Sequence, residues 1–272
     1  MKRLLIDADI LAFRAACVYG GDFEVTGDDG AYMSLSCNDL EGALAYCNDQ
    51  LKQWLKRHRT TSLLLCWTAS KSNFRKELYP LYKANRGKKP SILRDIAEAL
   101  SRQWPSMMVP GLEADDLMGI IGSKFPSANI ICTIDKDLLQ IPSVQVWNWN
   151  TDDFSVSTPG YSDKLFLTQV ITGDSTDNYP GIKGYGRVKA ERLLSYSGAF
   201  GFKQHWNQIV EAAKGAGMTL EELITQARLA RILRYTDIHT KGIRGRISNR
   251  MEPILWLPDR ERSYERKTIH ND

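Results

Sequence analysis

Paired cysteines are missing from this sequence. Its five cysteines (Cys17, Cys37, Cys47, Cys66, Cys132) are odd in number, scattered and never in a CxxC pair, and its four histidines stand apart. That spacing argues against a zinc site and a disulfide-stapled secreted fold, and it favours a reducing cytoplasm. Long apolar runs are missing too: none approaches the roughly 20 residues that span a bilayer. The opening MKRLLIDADI meets an acid before a signal-peptide core can form, so no membrane partner is expected. There is no internal repeat, no low-complexity tract, no EF-hand loop and no GxxxxGK[ST] phosphate loop. What remains is an ordinary folded composition: 272 residues, 43% apolar and 25% charged, enough for one large domain or two small ones.

The net charge is only +4, yet acids and bases are sorted along the chain. Between Lys71 and Arg94 eight bases face the single acid Glu77, a segment charge of +7. From Arg228 to Arg250 seven bases face Asp237, giving +6. A single such run is as often a solvated face as a binding site. Two runs interleaved with Phe74, Tyr79, Tyr82 and Tyr235 favour a nucleic-acid partner.

Unbroken apolar stretches at 2–7, 62–67, 106–109 and 129–134 read as buried strands, and helical spacing appears at 40–56, 91–104 and 113–125. A hairpin is expected at 23–36, turning at 27–30, and an edge pair at 144–149 and 154–157. Alternating strands and helices imply an α/β fold: a largely parallel twisted sheet with helices on both faces. Beyond Pro159 the pattern turns helical, with helices expected at 163–171, 189–194, 206–214 and 220–235. The expected division is a sheet domain at 1–160 and a helical region at 161–272.

Nine acids fall at strand ends or helix starts: Asp7, Asp9, Glu113, Asp115, Asp116, Asp135, Asp137, Asp174 and Asp177. Ligands of open α/β sheets bind beyond the carboxyl ends of the strands, where Asp7 and Asp135 are expected. Asp135 and Asp137 share a side of an extended segment; Glu113 and Asp116, three apart, share a helix face, and Asp174 and Asp177 have the same spacing. Any one pair could be a helix cap; four such groups together are better explained by cations. Carboxylates without His or Cys select hard ions such as Mg2+ or Mn2+, and a pair of such ions beside basic flanks fits phosphodiester hydrolysis.

The strings LIDAD (5–9), FRKELYPLYKANR (74–86), GLEADDLMG (111–119), TIDKDLLQI (133–141) and GDSTDNYPGIKGYG (173–186), in this order, resemble the flap endonuclease or 5′-nuclease superfamily, with the best likeness to 5′→3′ exonucleases of short-tailed bacteriophages. AGMTLEELITQARLARILRY (216–235) is similar to the C-terminal helix of those enzymes. The resemblance implies a PIN-like nuclease domain, a helix-three-turn-helix module from Asp174, and two Mg2+ ions with Mn2+ able to substitute. It implies Asp7, Glu113, Asp115 and Asp116 at the first ion and Asp135, Asp137, Asp174 and Asp177 at the second. Lys83 and Arg86 would meet the scissile phosphate, with Arg75 supporting and Tyr82 stacking on a terminal base. Gly181, Lys183, Gly184, Gly186, Arg187 and Lys189 would hold duplex DNA, with a K+ ion at that turn. The implied activity is 5′→3′ exonuclease and flap cleavage, with an RNase H-like extension to RNA/DNA hybrids. The implied setting is phage replication, recombination or host DNA breakdown, and the chain is expected to act as a monomer.

One departure stands out. The family pattern places an Asp after the strand SLLLCW, and here Ala69 occupies that position with no nearby acid in the sequence to replace it. A structure-specific DNA-binding protein with impaired catalysis is therefore an alternative. A PIN-type ribonuclease is another, though GIKGYG argues against it.

Overall fold

The structure, a computed structural model, describes residues 2–26, 32–69, 73–195, 201–239 and 252–258. Its centre is β1 (Arg3–Asp7), which leads without a linker into α1 (Ala8–Tyr19). The neighbours β4 (Leu63–Trp67) and β6 (Asn129–Cys132) pair with β1 in parallel, in the registers Asp7↔Cys66 and Ile6↔Cys132. β5 (Ser106–Met108) adds in parallel to β4, and β7 (Gln145–Asn148) to β6. β8 (Asp153–Val156) closes the edge antiparallel to β7, giving the order β5-β4-β1-β6-β7-β8. The central strands are unbroken apolar runs because both faces are covered. Leu4, Ile6, Leu65 and Trp67 pack toward α1, α2 (Leu40–Arg57) and α4 (Leu93–Gln103). Leu5, Leu64, Cys66 and Ile131 pack toward α5 (Ala114–Lys124).

β2 (Gly20–Thr26) and β3 (Tyr32–Asn38) form the expected hairpin, and the turn expected at 27–30 lies outside the described residues. The basic stretch after β4 is less regular than a helix. A short α3 (Phe74–Leu78) gives way to successive turns, and Lys83 stands at φ +56°. α6 starts at Pro159 and runs to Thr172; α7 (Arg187–Ser195), α8 (Phe202–Gly215) and α9 (Leu220–Ala230) follow. Phe166, Val170, Ile209, Leu223 and Trp256 share their core. Two short strands, β9 (Ile238–His239) and β10 (Glu252–Pro253), pair antiparallel near the C-terminus. Among the described residues no helix is long and apolar enough to cross a membrane.

The last helix ends at Ala230, short of the expected 235. Past Arg231, whose amide still donates to the Ala227 carbonyl, the amides find side-chain acceptors: Ile232 N donates to Gln140 Oε1 at 3.3 Å and Leu233 N to Asp116 Oδ1 at 3.1 Å. Arg231 and Arg234, expected to face a polyanion, are buried at 2% exposure each. Arg231 Nε donates to Asp237 Oδ2 at 3.0 Å, and Arg234 Nη2 to the Gln140 carbonyl at 2.8 Å. Charge counts could not separate such internal bases from surface ones; Lys241, Arg244, Arg246 and Arg250 lie outside the described residues.

Candidate active site

Strand ends and helix starts meet along one rim of the sheet. Asp7 ends β1 and caps α1, accepting from the Ile10 amide at 3.2 Å and from Thr133 Oγ1 at 2.8 Å. Asp135, just past β6, accepts from the Asp137 amide at 2.8 Å, so the two acids open a 3-10 turn rather than sharing a side of an extended strand. Asp115 lies in the first turn of α5. Burial, reinforced by neighbouring acids, raises all four carboxyls. Asp7 goes to about 7, with Asp9 and then Asp135 adding to burial; Asp137 goes to about 6, with Asp135 adding. Burial followed by Asp7 and Asp135 pushes Asp115 well up, and burial with Asp177 and Asp174 raises Asp135. Acids crowded in this way ionise together more readily when a cation lies among them.

Glu113 behaves in the opposite sense. Burial alone would raise its carboxyl, but Arg75 and Lys83 outweigh it and hold it at about 2. Lys83 Nζ is 2.7 Å from Glu113 Oε1 and 3.7 Å from Asp177 Oδ2, and Arg86 Nη2 is 2.6 Å from Asp177 Oδ1. The left-handed backbone at Lys83, unfavourable for a side chain with a Cβ, is pinned by its amide on the Asp177 carbonyl at 2.8 Å. Asp174 accepts from the Thr176 and Asp177 amides at 2.7 and 3.3 Å, closing a tight loop in which Asp177 meets Lys83 and Arg86. These groups line a groove of about 1280 Å³ that continues along Arg187 and Arg192 of α7.

Several expectations need correction. Asp116 is fully buried; it accepts two hydrogen bonds from Arg75 and one each from the Glu113 and Leu233 amides, which leaves it no role as an ion ligand. Arg75 is 2% exposed and also donates to the carbonyls of Leu229 and Arg231, so it supports the protein's framework rather than a phosphate. Tyr82, also 2% exposed, cannot stack on a base; its hydroxyl bridges Glu113 Oε2 at 3.1 Å and Asp177 Oδ2 at 2.9 Å. The Gly181 amide is taken by Gln226 Oε1 at 3.0 Å and does not face a phosphate. Lys183, Gly184, Gly186, Arg187 and Lys189 are all exposed. The Lys189 ammonium stands 2.7 Å from the Gly184 carbonyl, so a K+ ion at this turn would have to use other oxygens. Sequence reasoning missed Asn73, which donates to Glu113 Oε1 at 2.8 Å and caps α3; an Asn directly before a helical stretch was the available signal.

A family model, the 5′-3′ exonuclease N-terminal, resolvase-like domain, matches residues 2–165. The chain belongs to the 5′-3′ exonuclease family. It is similar to the exodeoxyribonuclease of Enterobacteria phage T3, at 30% identity over 94% of this chain and 92% of that protein. It is likewise similar to the exonuclease of Escherichia phage T7, at 30% identity over 86% of this chain and 89% of that one. Among solved structures, T5 5′-exonuclease with bound divalent zinc ions superposes with a TM-score of 0.56 at 16% identity, covering 84% of this chain and 93% of that one, a likeness of fold. By family membership the chain is a nuclease.

Within this exonuclease-family chain, Ala69 is buried and its amide donates to the Leu112 carbonyl at 3.1 Å. No acid adjoins Ala69 in the sequence, but the fold brings Asp9 across to the neighbouring Thr68 amide, with its oxygens at 3.2 and 3.4 Å. Among the described residues no three His, Cys, Asp or Glu side chains are placed to hold a metal ion together. The donor set still suits Mg2+, which keeps several waters and commonly takes only one or two carboxylates plus substrate phosphate. Asp137 Oδ1, buried without a hydrogen-bond partner among the described residues, is an acceptor that a hydrated cation would satisfy.

Proposed function

We propose that this chain is a Mg2+-dependent 5′→3′ nuclease that hydrolyses phosphodiester bonds near the 5′ ends, nicks and flaps of duplex DNA. The observation that carries this reading is the adjacency of two opposed charge sets on one groove: repelling carboxylates at Asp115, Asp135 and Asp137, with Asp7 interacting with them from behind, and the cations Lys83 and Arg86. Asp7, Glu113 and Asp115 would hold one ion; Asp135, Asp137, Asp174 and Asp177 would surround a second. When bound, such ions polarise the phosphate and lower the pKa of attacking water. Lys83 and Arg86 then bind the non-bridging phosphate oxygens, with Tyr82 and Asn73 keeping Glu113 oriented beside them. Lys183, Arg187 and Lys189 bind the duplex backbone, helped by the exposed backbone at Gly184 and Gly186. The division into a sheet domain at 1–160 and a DNA-holding region at 161–272 belongs to the same proposal. So do monomeric action in the cytoplasm of an infected cell, RNA/DNA hybrids as further substrates, and a role in phage replication, recombination or host DNA breakdown.

Ala69 favours one second reading, a DNA-binding protein of the same fold with impaired catalysis. Digestion of 5′- and 3′-labelled duplex and flap DNA, with Mg2+ and with chelator, tests both. Release of short products from 5′ ends with Mg2+ alone supports the nuclease. Tight duplex binding with no cleavage in Mg2+ or Mn2+ supports the binder.

A further inference from the structure

Asp9 has no task in the function proposed above. It sits in the first turn of α1, where an acid gains from the helix dipole. That gain is small beside the cost of crowding a half-buried carboxylate among other carboxylates. Its side chain leaves its own helix and crosses to the end of the neighbouring strand β4, where the Thr68 amide donates to it. The same Thr68 accepts from the Ala114 amide through Oγ1 at 3.0 Å, which ties Asp9 to the start of α5 between Glu113 and Asp115. A carboxylate offers about four acceptor sites. Among the described residues Thr68 is the one hydrogen-bond donor to it, and Lys89 is a more distant cation.

We propose that Asp9 is a ligand-site carboxylate for the first divalent ion, held by Thr68 beside Asp7 and Glu113 and supplying the charge that the methyl group of Ala69 cannot. The proposal rests on the two-ion reading above. It also removes the main ground for regarding the chain as impaired, because the strand-end row regains its charge from α1 instead of from β4.

The test is a Mn2+ titration of the full chain without DNA, with free Mn2+ read by electron paramagnetic resonance, in the wild type, Asp9→Asn, Asp7→Asn and the Asp9→Asn/Ala69→Asp double variant. Asn retains an oxygen for the Thr68 amide. Asp9→Asn is therefore expected to melt within a few degrees of the wild type in chelator and to bind Mn2+ about tenfold more weakly. The double variant is expected to recover the affinity. If Asp9→Asn binds Mn2+ like the wild type while Asp7→Asn binds weakly, the two-ion reading stands and this proposal falls. If the wild type itself binds no Mn2+, both fall. Should Asp9→Asn not fold, Asp9→Ser, whose hydroxyl can accept from Thr68, takes its place, and unchanged Mn2+ affinity there overturns the proposal equally.

Discussion

Arg75 and Asp116 meet as a two-pronged ion pair, Nη1 to Oδ2 at 2.7 Å and Nη2 to Oδ1 at 2.8 Å, with both side chains out of water. Through its other contacts the pair joins α3, the start of α5 and the segment after α9. Removing one partner strands a buried charge, which costs about 3–5 kcal/mol. Arg75→Ala and Asp116→Ala are each expected to lose stability of that order in urea melts. If Asp116→Ala instead kept its stability and lost only Mg2+ affinity, Asp116 would return to the ion ligands.

Gly173 and Gly181 press backbone against backbone where α6 ends, both at positive φ, 67° and 65°. A Cβ on Gly181 would overlap the Gly173 nitrogen and the Thr172 carbonyl carbon. Gly184, at φ 80°, has open space around it. Gly184→Ala is expected to cost only the left-handed backbone penalty, about 1–2 kcal/mol. Gly181→Ala adds an overpacking cost of about 1–3 kcal/mol. Thermal melts that rank the two variants the other way would show that this turn relaxes freely.

Most of the fold was legible because its strands are buried on both faces, so RLLID, LLLCW and NIIC announce themselves as runs without alternation. The acids at their ends were legible for the same reason. Side-chain direction was not. Tyr82, Arg75 and Asp116 carry the same letters whether they face DNA or the interior; the segment after α9 engages Arg75 and Asp116, and Glu113 and Asp177 engage the Tyr82 hydroxyl. Arg231 and Arg234 misled in the same way, since their partners Asp237, Gln140 and Asp163 are assembled by tertiary contacts. Asp9 was visible as an acid, but its reach to Thr68 depends on β1 and β4 being neighbours.

Lys83 and Lys183 divide the work differently. Lys83 stands among Glu113 and Asp177 in the groove, whereas Lys183 is an exposed cation on the glycine turn. Lys83→Ala is expected to lower kcat at least a hundredfold, the order found when a charge stabilising a transition state is removed, while changing duplex Kd little. Lys183→Ala is expected to leave kcat alone and to reduce the salt dependence of binding by about one phosphate contact. Single-turnover rates and Kd across a salt series separate the two; equal losses of affinity would contradict both assignments.

Acidity adds a prediction with a definite sign. Asp7 at about 7, Asp137 at about 6, and the raised Asp115 and Asp135 all hold protons in the fold that the unfolded chain releases near the ordinary aspartate value of 3.8. Across that window the native state binds more protons, so stability falls as pH rises and the loss is complete above the folded values. Glu113, held at about 2, works in the other direction: its contribution is present above the ordinary glutamate value of 4.5 and is lost as pH falls toward 2. In chelator, Tm is expected to be higher at about pH 5 than at about pH 7.5, by a few degrees for each kcal/mol of difference. Mg2+ added at the higher pH is expected to recover that loss, because a cation bound by the ionised row favours the folded state. Calorimetry at the two pH values, with and without Mg2+, decides the matter. A Tm that rises with pH in chelator and ignores Mg2+ would mean that these carboxylates do not crowd one another enough to need an ion.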